Sequence, residues 1–380
     1  MKKLFLMFLV SLVFVSEAAD SSSKAADADD PDTMFEIARH YLYGKEEERN
    51  AAEGMRCLEL AAGKDHAYAL YVLGFHLLFG DRIAADPERA VRLLTRSVEL
   101  GNIPAHSLLG WTMLYGFAGR IMPDPVKAEK YLKIAAEAGN AFAQVCYGWM
   151  FYAGRAVKRD NAQAVFWYLK AAGQGDRKAQ ASLAGMYMRG EGTAQNFVLA
   201  FRWNKLAADQ GEVASRYSVG SCYARGLGVG QDFGLAAHYF RLAAEQGHPE
   251  AQSELASAYF YGLGVKQDYA EAFKWHEKAA LQGNSSAQKV LSSYYYHGKV
   301  VDRDLSKAVY WMKKSAAAGD SLAQNSMGYL HERGEGVKYD PVEAVKYFRS
   351  SAASGNPDAK KSVELHKNRV KNSKLNAAER

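Results

Sequence analysis

A glycine recurs along this chain in a single register. Steps of 36 residues from Gly262 lead forward to Gly298 and Gly334 and backward to Gly226, Gly190 and Gly154. A step of 38 reaches Gly116, and two more of 36 reach Gly80 and Gly44. A period of this size means an array of stacked units rather than one ordinary core. Asn50, Asp86, Asp124, Asp160, Asn196, Asp232, Asp268, Asp304 and Asp340 follow the glycines in the same register. Asp65 and then Gly101, Gly139, Gly175, Gly211, Gly247, Gly283, Gly319 and Gly355 close the units.

Each column has a local physical reason. Asp and Asn cap helix N-termini by accepting from an otherwise unpaired backbone N–H. Asp268 with Glu271, Asp340 with Glu343 and Asp160 with Gln163 resemble capping boxes. Pro87, Pro125 and Pro341 stand at the first helical position, where proline is tolerated. The closing glycines suit the left-handed residue that ends a helix. Each unit therefore reads as helix A, a loop glycine, a cap, helix B and a closing glycine. Six residues before the loop glycine, a position called six here, stand Ala38, Gly74, Gly110, Gly148, Ala184, Gly220, Ala256, Ser292 and Gly328, all small. Seven after the cap stand Cys57, Leu93, Tyr131, Trp167, Trp203, Tyr239, Trp275, Trp311 and Tyr347. Four after it stands Gly54, or alanine in the other repeats. The expected interlock sets the large helix B column against these small neighbours. Gly262-Leu263-Gly264-Val265 is then the loop of an αα-hairpin. No strand precedes it, which disfavours a nucleotide-binding fingerprint.

The unit resembles the Sel-one-like repeat, a longer relative of the tetratricopeptide repeat. One copy reads Ala251, Gln252, Leu255, Ala256, Tyr259, Gly262, Gly264, Val265, Asp268, Ala272, Trp275, Ala279, Ala280 and Gly283. The resemblance runs from Thr33 to Gly355. The first three repeats depart most, with Leu77 and Met113 for the helix A tyrosine and Cys57 and Leu93 for the helix B aromatic. It implies an all-α, right-handed superhelical solenoid of αα-hairpin repeats that acts as a non-enzymatic adaptor for protein or peptide partners. Stability should then be roughly additive along the array.

In the family the outward side of helix A tends to line the concave surface. On a helical wheel, positions five, nine and one before the loop glycine point that way. Tyr71, Phe75, Phe79, Trp111, Tyr115 and Trp149 fall there in the first four repeats, and Arg189, Arg225 and Arg333 further on. These nine are the candidate partner-binding residues, since an exposed apolar patch and residues of these types mark interaction surfaces. Packing between neighbouring helices and self-association are the competing readings of the aromatic group.

Met1-Lys2-Lys3, an apolar run from Leu4 to Val15 and Ser16-Glu17-Ala18 form a secretory signal pattern with a cut after Ala18. The run is shorter than the roughly 20 residues of a spanning helix. The chain is thus divided into a signal peptide at 1–18, an acidic, disordered leader at 19–32, nine repeats at 33–355, and a capping helix with a basic tail at 356–380. The mature chain is expected to be a periplasmic or secreted monomer with no transmembrane span. A net charge of +6 is small for 380 residues and gives no ground for a nucleic-acid partner. Three cysteines make no disulfide framework.

No cofactor, metal or catalytic residue is expected. Ser286-Ala287-Gln288-Lys289 has the S-x-x-K spacing of penicillin-recognising enzymes, but S-D-N and K-T-G are missing. His276 and Glu277 are read as surface groups of helix B. Asn284-Ser285-Ser286 is a glycosylation sequon that matters only in a eukaryotic host. The alternative function is an envelope or host-surface factor that binds glycan or peptidoglycan through aromatic side chains.

Overall fold

The computed structural model describes residues 29–366. The signal peptide, most of the leader and the last part of the tail lie outside the described residues. The chain divides into two compact units at Gln195–Asn196. The first holds α1 (Pro31–Tyr43), α2 (Ala51–Gly63), α3 (Ala67–Phe79), α4 (Pro87–Glu99), α5 (Ile103–Tyr115), α6 (Pro125–Glu137), α7 (Ala141–Ala153), α8 (Asn161–Gly173) and α9 (Arg177–Arg189). The second holds α10 (Phe197–Asp209), α11 (Val213–Arg225), α12 (Phe233–Ala244), α13 (Pro249–Tyr261), α14 (Tyr269–Leu281), α15 (Ser285–His297), α16 (Leu305–Ala317), α17 (Ser321–Arg333) and α18 (Pro341–Ala353), followed by helical residues 357–366. Odd-numbered helices are the A helices and even-numbered ones the B helices. The first begins at Pro31, capped by Asp30, two residues before the expected start of the array.

The Asp/Asn column does two jobs. Each side chain accepts from a backbone N–H in the first turn of helix B, as Asp268 Oδ1 does from Ala270 and Glu271. In the eight repeats that lie within one unit, the N–H of the same residue donates to a carbonyl of helix A, as Asp268 N does to Tyr259 O at 3.0 Å. One residue thus starts helix B and fastens it to helix A. The A helices have caps of their own, which include His66 and His248 accepting through Nδ1.

The hairpin core departs from expectation by one position. The small residue at position six faces the side chain eight after the cap, not seven. A Cβ on Gly74 would lie 2.9 Å from Leu94 Cγ, on Gly110 2.7 Å from Leu132 Cγ, and on Gly148 3.0 Å from Tyr168 Cε1. On Gly220 and Gly328 it would lie 2.7 Å and 2.5 Å from the rings of Phe240 and Phe348. Where position six holds Ala38, Ala256 or Ser292, the residue eight after the cap in the same unit is Leu58, His276 or Met312. The column at seven, with its Trp and Tyr residues, is mostly half-buried because it lies at the edge of this contact.

Repeats are joined by two further devices. The second loop glycine touches helix B of the preceding repeat. Gly264 has φ +70°, and a Cβ there would stand 2.0 Å from Phe233 O. Gly192 and Gly228 make the same approach to Asn161 O and Phe197 O. These glycines are required for close packing. The other device is a glutamine. Gln144 Nε2 donates to Ala136 O at 3.1 Å, and its Oε1 accepts from Gln174 Nε2 at 2.9 Å. Gln252 repeats this with Ala244 O and Gln282. Gln288 and Gln324 keep the first bond. The donor positions there hold Ala318 and Ser354, and the buried Oε1 atoms have no partner among the described residues.

Gly264→Ala should destabilise the protein by about 2 kcal/mol or more, from left-handed strain and backbone overlap together. Urea unfolding reads this directly. Ala318→Gln should raise stability by about 1 kcal/mol by giving Gln288 Oε1 its missing donor. An unchanged urea midpoint would show that the glutamine pair contributes nothing.

Candidate partner-binding surface

In the first unit, positions five and one are four residues apart, so their side chains stack along one face of helix A. Large rings there meet the rings of the next A helix. Phe75 and Phe79 have centroids 4.8 Å apart, Phe79 and Trp111 6.1 Å, Trp111 and Tyr115 5.9 Å, and Tyr115 and Trp149 5.4 Å. The expected exposed patch is therefore largely a packed ladder. Tyr71, Phe75, Phe79 and Trp111 are buried in the core, and Trp149 is half-buried. Only Tyr115, 46% accessible, stands open.

Two causes close this side. Helix α3, AYALYVLGFHLLF, has almost no polar residue on any face, and a helix apolar all round packs all round. The two extra residues of the third repeat form a small loop bridged between Phe117 and Ile121. Its Phe117 ring packs edge-on to Phe79 at 5.4 Å and lies 6.4 Å from Trp111. Tyr43, at position one of the first repeat, is also taken up internally. Its hydroxyl pairs with Nε2 of the buried His76 at 2.8 Å. Both the uniform apolarity of α3 and the phenylalanine in the insertion were visible signals of packing.

The arginines behave as expected of surface groups. Arg189, Arg225 and Arg333 are all exposed. Arg189 pairs with Glu191 at 2.8 Å and lies over Gly185, whose Cβ would come within 3.2 Å of Nη1. Arg333 sits 5.7 Å above the Tyr329 ring, and its Nη1 is 3.9 Å from Glu335.

Repeats six to eight, in the second unit, have serine where repeats two to four have rings. Position five reads Ser221, Ser257 and Ser293 before Tyr329. Between α15 and α17 this leaves a pocket of about 350 Å³. Ser293, Ser326 and Tyr329 line it, with Met312 and Leu330 as its apolar part and Lys289, His297 and Arg333 as its basic part. Tyr296 reaches across and donates its hydroxyl to Glu335. That bond raises the Tyr296 pKa above its ordinary value. Ser293, Tyr296, His297, Ser326 and Tyr329 were not among the candidate partner-binding residues read from the sequence, and Lys289 was named there only as part of the S-x-x-K segment. The signal was the switch from aromatic to serine at position five.

His276 is corrected by the structure. It is buried rather than on the surface, and its Nδ1 meets the Tyr294 hydroxyl at 3.0 Å. Burial pushes its pKa down to about 4, so it stays neutral near pH 7. It occupies the position eight after the cap and serves the hairpin core opposite Ala256.

Comparison with known proteins agrees with this architecture. The Sel1 repeat family model matches nine consecutive segments, from 31–66 to 321–356, and the third, 103–140, carries the insertion. A protective antigen present in uropathogenic Escherichia coli strains and displaying an SLR fold superposes with a TM-score of 0.69 at 27% identity, over 88% of this chain and 79% of its own. A Sel1 repeat protein from Oxalobacter formigenes gives a TM-score of 0.63 at 29% identity, over 94% and 99%. A stretch of 93 residues, 24% of this chain, is 33% identical to an uncharacterised protein of Neisseria meningitidis serogroup B and spans 20% of that protein's length.

Trp111→Ala should cost about 3–5 kcal/mol, as for a buried large aromatic. Tyr115→Ala should cost about 1 kcal/mol, the value of its ring contacts. Thermal melts of the two variants distinguish a packed ladder from an exposed patch, which would give small losses for both.

Proposed function

Because the chain belongs to the Sel1 repeat family, with nine repeats from residue 31 to residue 356, we propose that it is an exported, non-enzymatic scaffold that binds a protein or peptide partner along the outward side of its A helices. Sel1 repeat proteins are generally protein–protein interaction scaffolds. The observation that carries the finer reading is the exposure of position one from the third repeat onward. Tyr115, Arg189, Arg225, Tyr261, His297 and Arg333 all stand there in solvent, while position six, five residues earlier on another face of the helix, is buried in the hairpin core. Tyr and Arg are residue types that dominate binding hot spots.

The S-x-x-K segment is absorbed by the scaffold. Gln288 bonds Ala280 O, and Lys289 Nζ bonds Asp320 Oδ2 at 3.0 Å. No helix among the described residues is long and apolar enough to cross a membrane. Export rests on the basic, apolar and small-residue pattern of residues 1–18, and the mature N-terminus is expected at Ala19.

Photo-crosslinking in cells from positions 115 and 333, with exposed Lys274 on α14 as the control, tests the reading. A single protein should be captured at the two sites and not at 274, and Tyr115→Ala or Arg333→Gln should weaken its binding. Capture of peptidoglycan, of this chain alone, or of the same products at 274 would contradict it.

A further inference from the structure

Position five sets how much room remains between neighbouring A helices. Phe75, Trp111 and Trp149 fill it in the first unit. Ser293 leaves it open between α15 and α17, and the opening has a definite chemistry. The hydroxyls of Ser293 and Ser326 have no protein partner among the described residues, whereas the nearby Ser292 donates to Ala308 O at 2.6 Å. Arg333 presents its guanidinium at the rim, and its contact with Glu335 is a long 3.9 Å. His297 is exposed beside it. The two acids nearby are already engaged. Glu335 accepts from Tyr296, and Asp320 accepts from Lys289 and from Ala323 N. The pocket thus offers unused donors and a cation, next to the apolar surface of Met312 and Leu330.

We propose that this pocket is a subsite for a carboxylate group of a partner peptide, held by Arg333, Ser293 and Ser326, with an adjoining aliphatic side chain against Met312 and Leu330. Guanidinium and hydroxyl donors suit a carboxylate, which only accepts. The volume fits a single residue rather than a folded surface. The subsite rests on the scaffold reading above and names the chemistry recognised at its C-terminal end. The carboxylate comes from a chain terminus or from an acidic side chain, and both present the same two oxygens.

The test is a titration of the full chain labelled at the methionine methyls, with the Met312 signal assigned from Met312→Leu. Three probes are used: N-acetyl-leucine, its uncharged amide, and N-acetyl-Leu-Glu-Leu-amide. A carboxylate probe should shift the Met312 methyl and the uncharged amide should not. Stronger binding of N-acetyl-leucine identifies a chain terminus, and stronger binding of the tripeptide identifies an acidic side chain. Arg333→Gln should weaken the response by about tenfold or more, the value of a charge-assisted bond. Ser293→Trp, which refills the gap as Trp111 and Trp149 do, should abolish it. Both variants should melt close to the parent, since Arg333 and Ser293 are exposed. The proposal is overturned if the amide shifts Met312 as strongly as the acid, if no probe shifts it at millimolar concentration, or if Arg333→Gln keeps its affinity within about twofold. Such a failure is distinguishable from failure of the scaffold reading, because capture of a partner protein from position 115, which does not line this pocket, is independent of the group the pocket takes.

Discussion

Each of the eight hairpins that lie within one unit depends on one residue, the Asp or Asn that follows the loop. Its side chain supplies the first turn of helix B with an acceptor, and its own N–H is spent on helix A. Helix B therefore starts at a fixed place and at a fixed distance from helix A. A 13-residue helix is marginal on its own in water, so the clamp and the packing it permits have to arise together. The closing glycine then turns the chain at positive φ, +93° at Gly283, and returns it to the next A helix.

Given that geometry, side-chain volumes do the rest. Glycine at position six admits Leu94, Leu132, Tyr168, Phe240 or Phe348 from helix B, and alanine or serine goes with other partners. Glycine two residues after the loop glycine lets one repeat's loop touch the backbone of the helix B before it. The glutamine bonds tie helix B, the next helix A and its own helix B in sequence. All these contacts reach only the nearest neighbours, which is why stability in such an array is close to a sum over repeats. Position five lies outside this set. Its size is free to vary, and with it the openness of the A-helix side.

Much of this was legible in the residues. Periodicity gave hairpins and their boundaries, because caps and left-handed glycines are local requirements that few residue types meet. The match of Asp268, Gly262 and Gly283 to their roles is of this kind. What a single repeat could not reveal was contact between repeats. The wheel placed Phe75, Phe79 and Trp111 away from their own helix B, which is correct, and that side is covered by the next A helix and by Phe117. His276 read as a surface residue for another reason, a misplacement of the core column by one position. A shift of one position along helix B moves a side chain about 100°, enough to exchange edge for core. The pocket was hidden because serine carries no signal of its own. Only its replacement of tryptophan in register marks the gap.

The central claim is that one repeat geometry is closed on its A side where position five carries a ring, in repeats two to four, and open where it carries serine, in repeats six to eight. Hydroxyl-radical footprinting of the native chain, read peptide by peptide, tests it most directly. Trp111, 8% accessible, should be protected, and Tyr261, 67% accessible, should oxidise quickly. Equal oxidation of Trp111 and Tyr261 would contradict the account.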